Sequence, residues 1–137
     1  MESHKRIELL VSPDEFFHIS DIKRFADDSG LVGYVSAQSG AFGVKGHKFY
    51  FGDLARFASD IKQLHRSLSG SARLQTPFER DFVELSVDSL GHVLVKGHFE
   101  LSGPVSQRLD FEFTCDQTFL PSLIVSLDAV LAETPKT

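Results

Sequence analysis

The residues of this chain best suited to chemistry are its six histidines and the acidic side chains near them. His98 and Asp110 fall in two stretches that alternate apolar and polar residues, so we expect them to face each other across neighbouring strands. A carboxylate beside an imidazole can orient it as a general base. Such a pair is more often a solvated contact on a polar sheet face, and Cys115, the one cysteine, lies at an inward position. We therefore favour the structural interpretation and predict no catalytic residue.

Metal and phosphate sites are also not predicted. His92 and His98 are expected on one face of one strand, about 20 Å apart at the rise of a strand, which is too far for a shared ion. A single cysteine allows neither a disulfide framework nor a cysteine-rich zinc site. The stretch from Gly40 to Gly46 holds three glycines and Lys45, but it lacks the spacing of a phosphate-binding loop. We predict no metal and no cofactor.

The strands that position these side chains are predicted from an alternation of period two. Three strands are expected over Phe82–Asp88, His92–Leu101 and Gln107–Cys115. In all three the odd-numbered residues are apolar, namely Val83, Leu85, Val87, Val93, Val95, Phe99, Leu101, Leu109, Phe111, Phe113 and Cys115. One apolar face and one polar face are typical of a half-buried antiparallel sheet.

The register of these strands follows from the same parity. Opposite residues of paired strands share a face, so each connecting loop must hold an odd number of residues. This predicts loops at 89–91, closed by Gly91, and at 102–106. The register then sets Glu84 opposite Lys96, Lys96 opposite Glu112, His98 opposite Asp110, Glu100 opposite Arg108, and Gly97 under the ring of Phe111.

The rest of the chain supplies further strands and two helices. Strands are predicted at 6–11, 31–37, 44–51 and 72–75, with a turn at 27–30 and a loop at 38–43. Residues 12–15 fit either a helix-capping box or a turn before a strand, and we favour a second strand with an irregular tail. Helical spacing predicts helices near 53–69 and 118–132. The first would be capped by Asp53 or Gly52 and closed by Gly70, and the second would be capped by Asp116 or Thr118.

We therefore predict one α+β domain over residues 1–137, without repeats. Its architecture would be one antiparallel sheet of six or seven strands, with both helices packed on one face. The predicted core is Ile7, Leu9, Val35, Leu54, Phe57, Ile61, Leu64, Leu68, Leu85, Val87, Val95, Phe99, Phe111, Phe113, Leu120, Leu123, Ile124, Leu127 and Leu131.

Charge limits the partners that the protein would bind. The net charge is −5, and residues 1–70 carry nine acids and nine bases, so the whole excess falls in residues 71–137. An acidic half disfavours nucleic acid or an anionic membrane and permits a basic protein partner. No apolar run is long enough for a signal peptide or a membrane span. The chain is expected to be cytoplasmic.

The even-numbered face of the three strands is the predicted binding surface. Its polar plane comprises Glu84, Ser86, Asp88, His92, Lys96, His98, Glu100, Arg108, Asp110, Glu112 and Thr114. The candidate protein-binding residues are Glu79, Asp81, Glu84, Asp88, His92, His98, Glu100, Asp110 and Glu112. Among the acids, Glu79, Asp81, Glu84 and Asp88 are expected to be the least paired. The simpler interpretation of this plane is the wet side of a two-layer protein.

Three motifs in this order resemble a known family. They are FGDLARFASDIKQLHRSLSGSARLQ, GHVLVKGHFEL and LDFEFTCDQTFLPSLIVSLDAVL. The region from about Leu31 to Leu131 is similar to the small bacterial family labelled WapI-type immunity proteins. The resemblance implies a cytoplasmic protein that binds and neutralises a toxin domain, with no catalytic residues.

Three functions remain open at this point. The first is a non-enzymatic protein-binding module of the immunity type, with a basic toxin domain as partner. The second is a small-ligand carrier with an apolar cavity between a curved sheet and the last helix. The third is a hydrolase or isomerase that uses His98 and Asp110.

Overall fold

The computed structural model describes residues 6–25, 30–77, 80–101 and 103–133. Within them, an order of four strands and a helix occurs twice. The first set is β1 (Ile7–Ser12), β2 (Glu15–Arg24), β3 (Leu31–Ser39), β4 (Phe42–Phe51) and α1 (Leu54–Ser67). The second set is β5 (Ser71–Gln75), β6 (Phe82–Val87), β7 (Val93–Leu101), β8 (Gln107–Cys115), a 3-10 turn (Gln117–Phe119) and α2 (Leu120–Glu133). This repeated order was not visible in the sequence.

The strands form two antiparallel sheets of four strands each, in the orders β1-β2-β3-β4 and β5-β6-β7-β8. The α+β class is confirmed, whereas the prediction of a single sheet with six or seven strands is wrong. Alternation shows which face of a strand is buried and does not show which strands share a sheet. The two helices also do not share one sheet face, since α1 packs against β5, α2 packs against β1, and the helices contact each other.

The predicted register of the second sheet is confirmed throughout. Val87 pairs with Val93 across the first loop, and Leu101 pairs with Gln107 across the second. Lys96 lies between Glu84 and Glu112, and His98 lies opposite Asp110. Gly91 has a φ of 84°, as its place at the end of the loop requires.

The contested segment after residue 12 is a strand, as predicted. β2 pairs with both β1 and β3, and its register shifts between Ser20 and Lys23, around Asp21 at a φ of 53°. The predicted loop at 38–43 is shorter than expected, because β3 and β4 continue to Ser39 and from Phe42. Of the turn predicted at 27–30, only residue 30 lies within the described residues.

The residue that ends α1 differs from the prediction. Asp53 is the N-cap of α1 but makes no side-chain capping bond, and Leu68 rather than Gly70 ends the helix with a φ of 52°. Leu68 is consequently 39% exposed, so its place in the predicted core is wrong. Asp116, one of the two residues predicted to cap the last helix, caps the 3-10 turn that precedes it, because its Oδ1 accepts a hydrogen bond from the N–H of Thr118.

The core is one apolar cluster with contributions from both sheets and both helices. Most of the predicted core is buried, whereas Val87, Ile124 and Leu131 are half-buried. The buried residues that were not predicted include Phe17, Ile19, Phe49 and Phe51. Phenylalanine rings meet where the sheets approach, with 5.4 Å between the ring centres of Phe49 and Phe99 and 6.2 Å between those of Phe99 and Phe111. These rings form the part of the core that lies between the two sheets.

Polar contacts also join the two sheets. Ser39 Oγ donates to the carbonyl oxygen of Glu112 at 2.8 Å, and Thr76 Oγ1 donates to the carbonyl oxygen of Tyr50 at 2.6 Å. Neither helix of the described chain is long and apolar enough to cross a membrane.

Candidate functional site

The outer face of the second sheet carries most of the residues predicted to bind a partner. We use this name for the side chains of Arg73, Phe82, Glu84, Lys96, His98, Glu100, Asp110 and Glu112, which come from β5 to β8. Their inward neighbours, such as Val83, Val95 and Phe111, are buried. The alternation that buries one side of the sheet therefore presents this polar set on the other side.

His98 is held between two carboxylates. Its Nδ1 lies 2.5 Å from Asp110 Oδ1, and its Nε2 lies 3.3 Å from Glu100 Oε1. The contact with Glu100 is short enough for an ion pair but does not have the geometry of a hydrogen bond. Nε2 therefore has no hydrogen-bond partner among the described residues. The His98 side chain is 13% exposed. Each nitrogen of the ring therefore faces a different carboxylate, Nδ1 that of Asp110 and Nε2 that of Glu100.

The environment of His98 favours its protonated form. Burial acts to lower the pKa of the imidazole, but the hydrogen bond and charge of Asp110, together with Glu100, outweigh it. The net result is a pKa raised above its ordinary value of 6.5. A protonated imidazole carries a proton on both nitrogens, so each nitrogen of His98 can face a carboxylate.

Aromatic and cationic groups stack beside His98. The ring of Phe82 is near-parallel to the imidazole of His98, with 6.4 Å between their centres. The Arg73 guanidinium lies over the Phe82 ring, 3.8 Å from its centre. Arg73, Phe82 and His98 line a shallow open pocket of about 310 Å³ together with Gln75, Arg80 and Asp81. Phe82 and Arg73 were not predicted as site residues, although an aromatic residue at an even-numbered position of β6 was a usable signal.

Two acids on this face lie close to arginines, and one of them, Glu84, was predicted to be free. Glu84 Oε2 lies 3.6 Å from Arg73 Nε, and Glu100 Oε1 lies 3.9 Å from Arg80 Nη1. The expectation that Glu84 is among the least paired acids is therefore wrong. Asp110 remains 71% exposed despite its contact with His98, and Glu112 is exposed. These last two carboxylates offer the most accessible negative charge on the face.

Asp88 and His92 have a local role at the hairpin between β6 and β7. Asp88 Oδ1 accepts hydrogen bonds from the N–H groups of Leu90 and His92, both at 2.9 Å. The His92 backbone bond is the main reason that the pKa of Asp88 lies below its ordinary value. His92 Nδ1 also lies 3.4 Å from Asp88 Oδ2. Asp88 is consequently engaged with the turn, contrary to the expectation that it is a free charge.

Asp81 is not a free loop acid, because it is buried. Its Oδ2 lies 2.8 Å from His47 Nε2, and its Oδ1 accepts a hydrogen bond from the N–H of Glu100 at 2.9 Å. The expectation that Asp81 is one of the less paired acids is therefore wrong. Glu79, the other predicted loop acid, lies outside the described residues.

A metal site and a reactive cysteine are two other types of site that His, Cys, Asp and Glu side chains can form. Within the described residues, no group of three or more His, Cys, Asp or Glu side chains could hold a metal ion. Cys115 is buried, and burial first of all raises the pKa of its thiol to about 11. A thiol of this kind is a weak nucleophile at neutral pH.

Comparison of the chain with known protein families gives one match. The model of the immunity protein WapI-like family matches residues 2–135. The match includes residues 2–30, where the sequence motifs indicated no resemblance. No curated protein and no solved structure matches the chain significantly. Because the match spans nearly the whole length, the chain belongs to the WapI-like immunity protein family.

Proposed function

We propose that this protein binds a bacterial toxin domain and neutralises it, and that the outer face of the second sheet is the contact surface. The family match supports the toxin-binding role. The observation that supports the choice of surface is the stack of Arg73, Phe82 and His98, whose groups contact one another. Rigid aromatic and arginine groups at the centre of an interface are the usual source of binding energy.

The charge of the surface favours a basic partner. Asp110 and Glu112 project from β8, the edge strand, and the acidic excess of the chain falls in its second half. Exposed carboxylates of this kind attract a positively charged protein and mainly increase the rate of association. The paired acids Glu84 and Glu100 contribute less, because Arg73 and Arg80 offset their charge.

To test the proposal, the genes that flank this one are searched for a toxin domain, and that domain is used in the assays. Co-expression with the toxin should restore growth, and the purified proteins should bind in surface plasmon resonance. Phe82→Ala should weaken binding at least about tenfold, as expected for an aromatic residue at the centre of an interface. Glu112→Lys should slow association at low salt, and the difference from wild type should shrink at high salt because salt screens exposed charges.

A matched control separates surface effects from general charge effects. Asp14→Lys makes the same charge change at an exposed position in the turn between β1 and β2, and it should leave association unchanged. Circular dichroism and thermal melting would verify that each variant is folded. Failure of the wild-type protein to bind or neutralise the toxin would contradict the function. Normal binding by both Phe82→Ala and Glu112→Lys would contradict the surface and leave the function standing.

A further inference from the structure

A second surface lies between the edges of the two sheets. β4 ends the order of the first sheet and β8 ends that of the second. The first half of β4, the start of β8 and the end of β7 line an open groove of about 690 Å³. This groove lies apart from the shallow pocket beside His98, since the two share no lining residue.

The groove exposes apolar side chains. Phe42 is 72% exposed and Leu101 is 55% exposed, and both line it. Val44 and Leu109 are half-buried beside them, and buried Phe99 contributes to the wall. Other large apolar residues are exposed elsewhere in the described chain, but Phe42 and Leu101 share one concave surface. Contiguous exposed apolar surface in a concave setting is typical of a binding site for another molecule.

The charge of this groove is opposite to that of the chain. Three cations line it, Lys45, Lys48 and Arg108, and no acid is among the described residues that do so. The whole chain carries 19 acids and 14 bases. The fourth basic group, His47, is already engaged by Asp81. An apolar groove with a basic rim complements a segment that carries both carboxylates and apolar side chains.

We propose that this groove binds an acidic segment of a partner protein, whose carboxylates pair with Lys45, Lys48 and Arg108 while its apolar side chains cover Phe42 and Leu101. The segments at the two ends of the chain, 1–5 and 134–137, carry one acid between them and do not match this charge. This interaction is separate from the proposed toxin binding. The outer face of the second sheet would attract a basic partner, whereas the groove would attract an acidic one. The groove takes Arg108 from the polar side of the second sheet but uses neither Phe82 nor Glu112, so the two proposals can fail separately.

The test uses a phage-displayed library of short random peptides, selected against the full-length protein. Enriched peptides should carry Asp or Glu interspersed with aliphatic or aromatic residues. Their affinities would be measured as synthetic peptides by fluorescence anisotropy. Phe42→Ser and Lys45→Glu should each raise the dissociation constant at least about tenfold, which corresponds to about 1.4 kcal/mol. The effect of Lys45→Glu should diminish in high salt.

Two variants outside the groove are matched controls. Leu90→Ser removes an apolar side chain that is 79% exposed in the β6–β7 turn, and Arg56→Glu reverses a cation whose side chain is 77% exposed on α1. Both should bind the selected peptides as wild type does. Selection of basic or uncharged peptides, or equal binding by Phe42→Ser, would overturn the proposal. Self-association that Phe42→Ser abolishes in sedimentation experiments would also overturn it, because a second copy would then occupy the groove.

Discussion

His47 and Asp81 form a hydrogen-bonded pair that joins the two sheets. His47 lies on β4 of the first sheet, and Asp81 lies immediately before β6 of the second, with 2.8 Å between Nε2 and Oδ2. Their side chains are 11% and 10% exposed. Asp81 also accepts the N–H of Glu100, so one carboxylate connects β4, β7 and the entry to β6. The pair contributes to how the halves of the fold are held together.

Removal of the Asp81 carboxylate should destabilise the fold. Asp81→Ala leaves His47 and the N–H of Glu100 without their partner, and the loss of such a partner at a buried site costs about 1–3 kcal/mol. Asp81→Asn retains an oxygen that can accept from Glu100 and should cost less. Urea unfolding would measure both. Asp14→Ala removes a carboxylate from an exposed turn and is the control, which should change the free energy of unfolding little. If Asp81→Ala changed it as little as Asp14→Ala does, the structural role of Asp81 would be contradicted.

The packing of Phe111 over Gly97 should make Gly97 intolerant of a side chain. A Cβ at Gly97 would collide with the ring of Phe111, which covers it on the inward face of the sheet. Gly97→Ala should therefore destabilise the protein by about 1–3 kcal/mol, as overpacking of a core does. Chemical denaturation checks this value.

A double mutant isolates the collision between the methyl group and the ring. In a Phe111→Leu background, Gly97→Ala should cost less than in the wild type, because the ring is gone. Gly52→Ala is the control, since an added Cβ there would meet no atom within 4 Å. Equal costs of Gly97→Ala in both backgrounds would show that the ring is not the cause.

The charge state of His98 should make stability depend on pH. The pKa of His98 is raised in the folded protein, so the folded state binds the proton more tightly than the unfolded state does. This contribution to the free energy of unfolding is fully present below the unfolded pKa, about 6.5, and is lost as pH rises through the folded pKa. The stability difference between wild type and His98→Gln should therefore decrease from pH 6 towards pH 8.

Comparison with the variant is needed because His18 acts in the opposite direction. Burial first, and Arg6 second, lower the pKa of His18, so its contribution to stability grows as pH rises. The difference between wild type and His98→Gln cancels that contribution. Titration of the His98 ring protons by NMR gives a direct check, and a midpoint at or below 6.5 would refute the ion-pair explanation.

Cys115 should react slowly with thiol reagents in the folded protein. Its pKa is raised from an ordinary value of 9.0 to about 11, mainly by burial, so at pH 8 it holds about a hundredth of the ordinary thiolate. Iodoacetamide labelling followed by mass spectrometry would measure the rate. The same chain in guanidinium chloride is the control. Comparable rates in both conditions, or a folded rate that levels off below pH 10, would contradict the raised pKa.

Local patterns in the sequence determined most of the second sheet. Alternation from Phe82 to Cys115 specified the strands, and the parity of two short loops specified the register, including His98 opposite Asp110 and Gly97 under Phe111. These relationships join neighbouring strands through tight turns, so the residues that decide them are close in the chain. Family resemblance could likewise be read from three motifs, and the family match confirms it.

The candidate site was predictable only in part. The even-numbered residues of β6, β7 and β8 do share one polar face, but the structure pairs Glu84 with Arg73 and buries Asp81 beside His47. These partners come from β5 and β4, and no local pattern in the sequence relates them to the predicted surface. The prediction of free acids therefore failed where long-range contacts decide which charges are neutralised.

The sequence by itself determined the class of the fold, the strands and most of the buried face of each element. Only the tertiary structure decided that eight strands divide into two sheets, because alternation does not depend on which neighbour a strand pairs with. It also decided that Phe42 and Leu101, more than fifty residues apart, meet in a basic groove. Contacts of this kind depend on how distant segments pack together, and their residues carry no common signal along the chain.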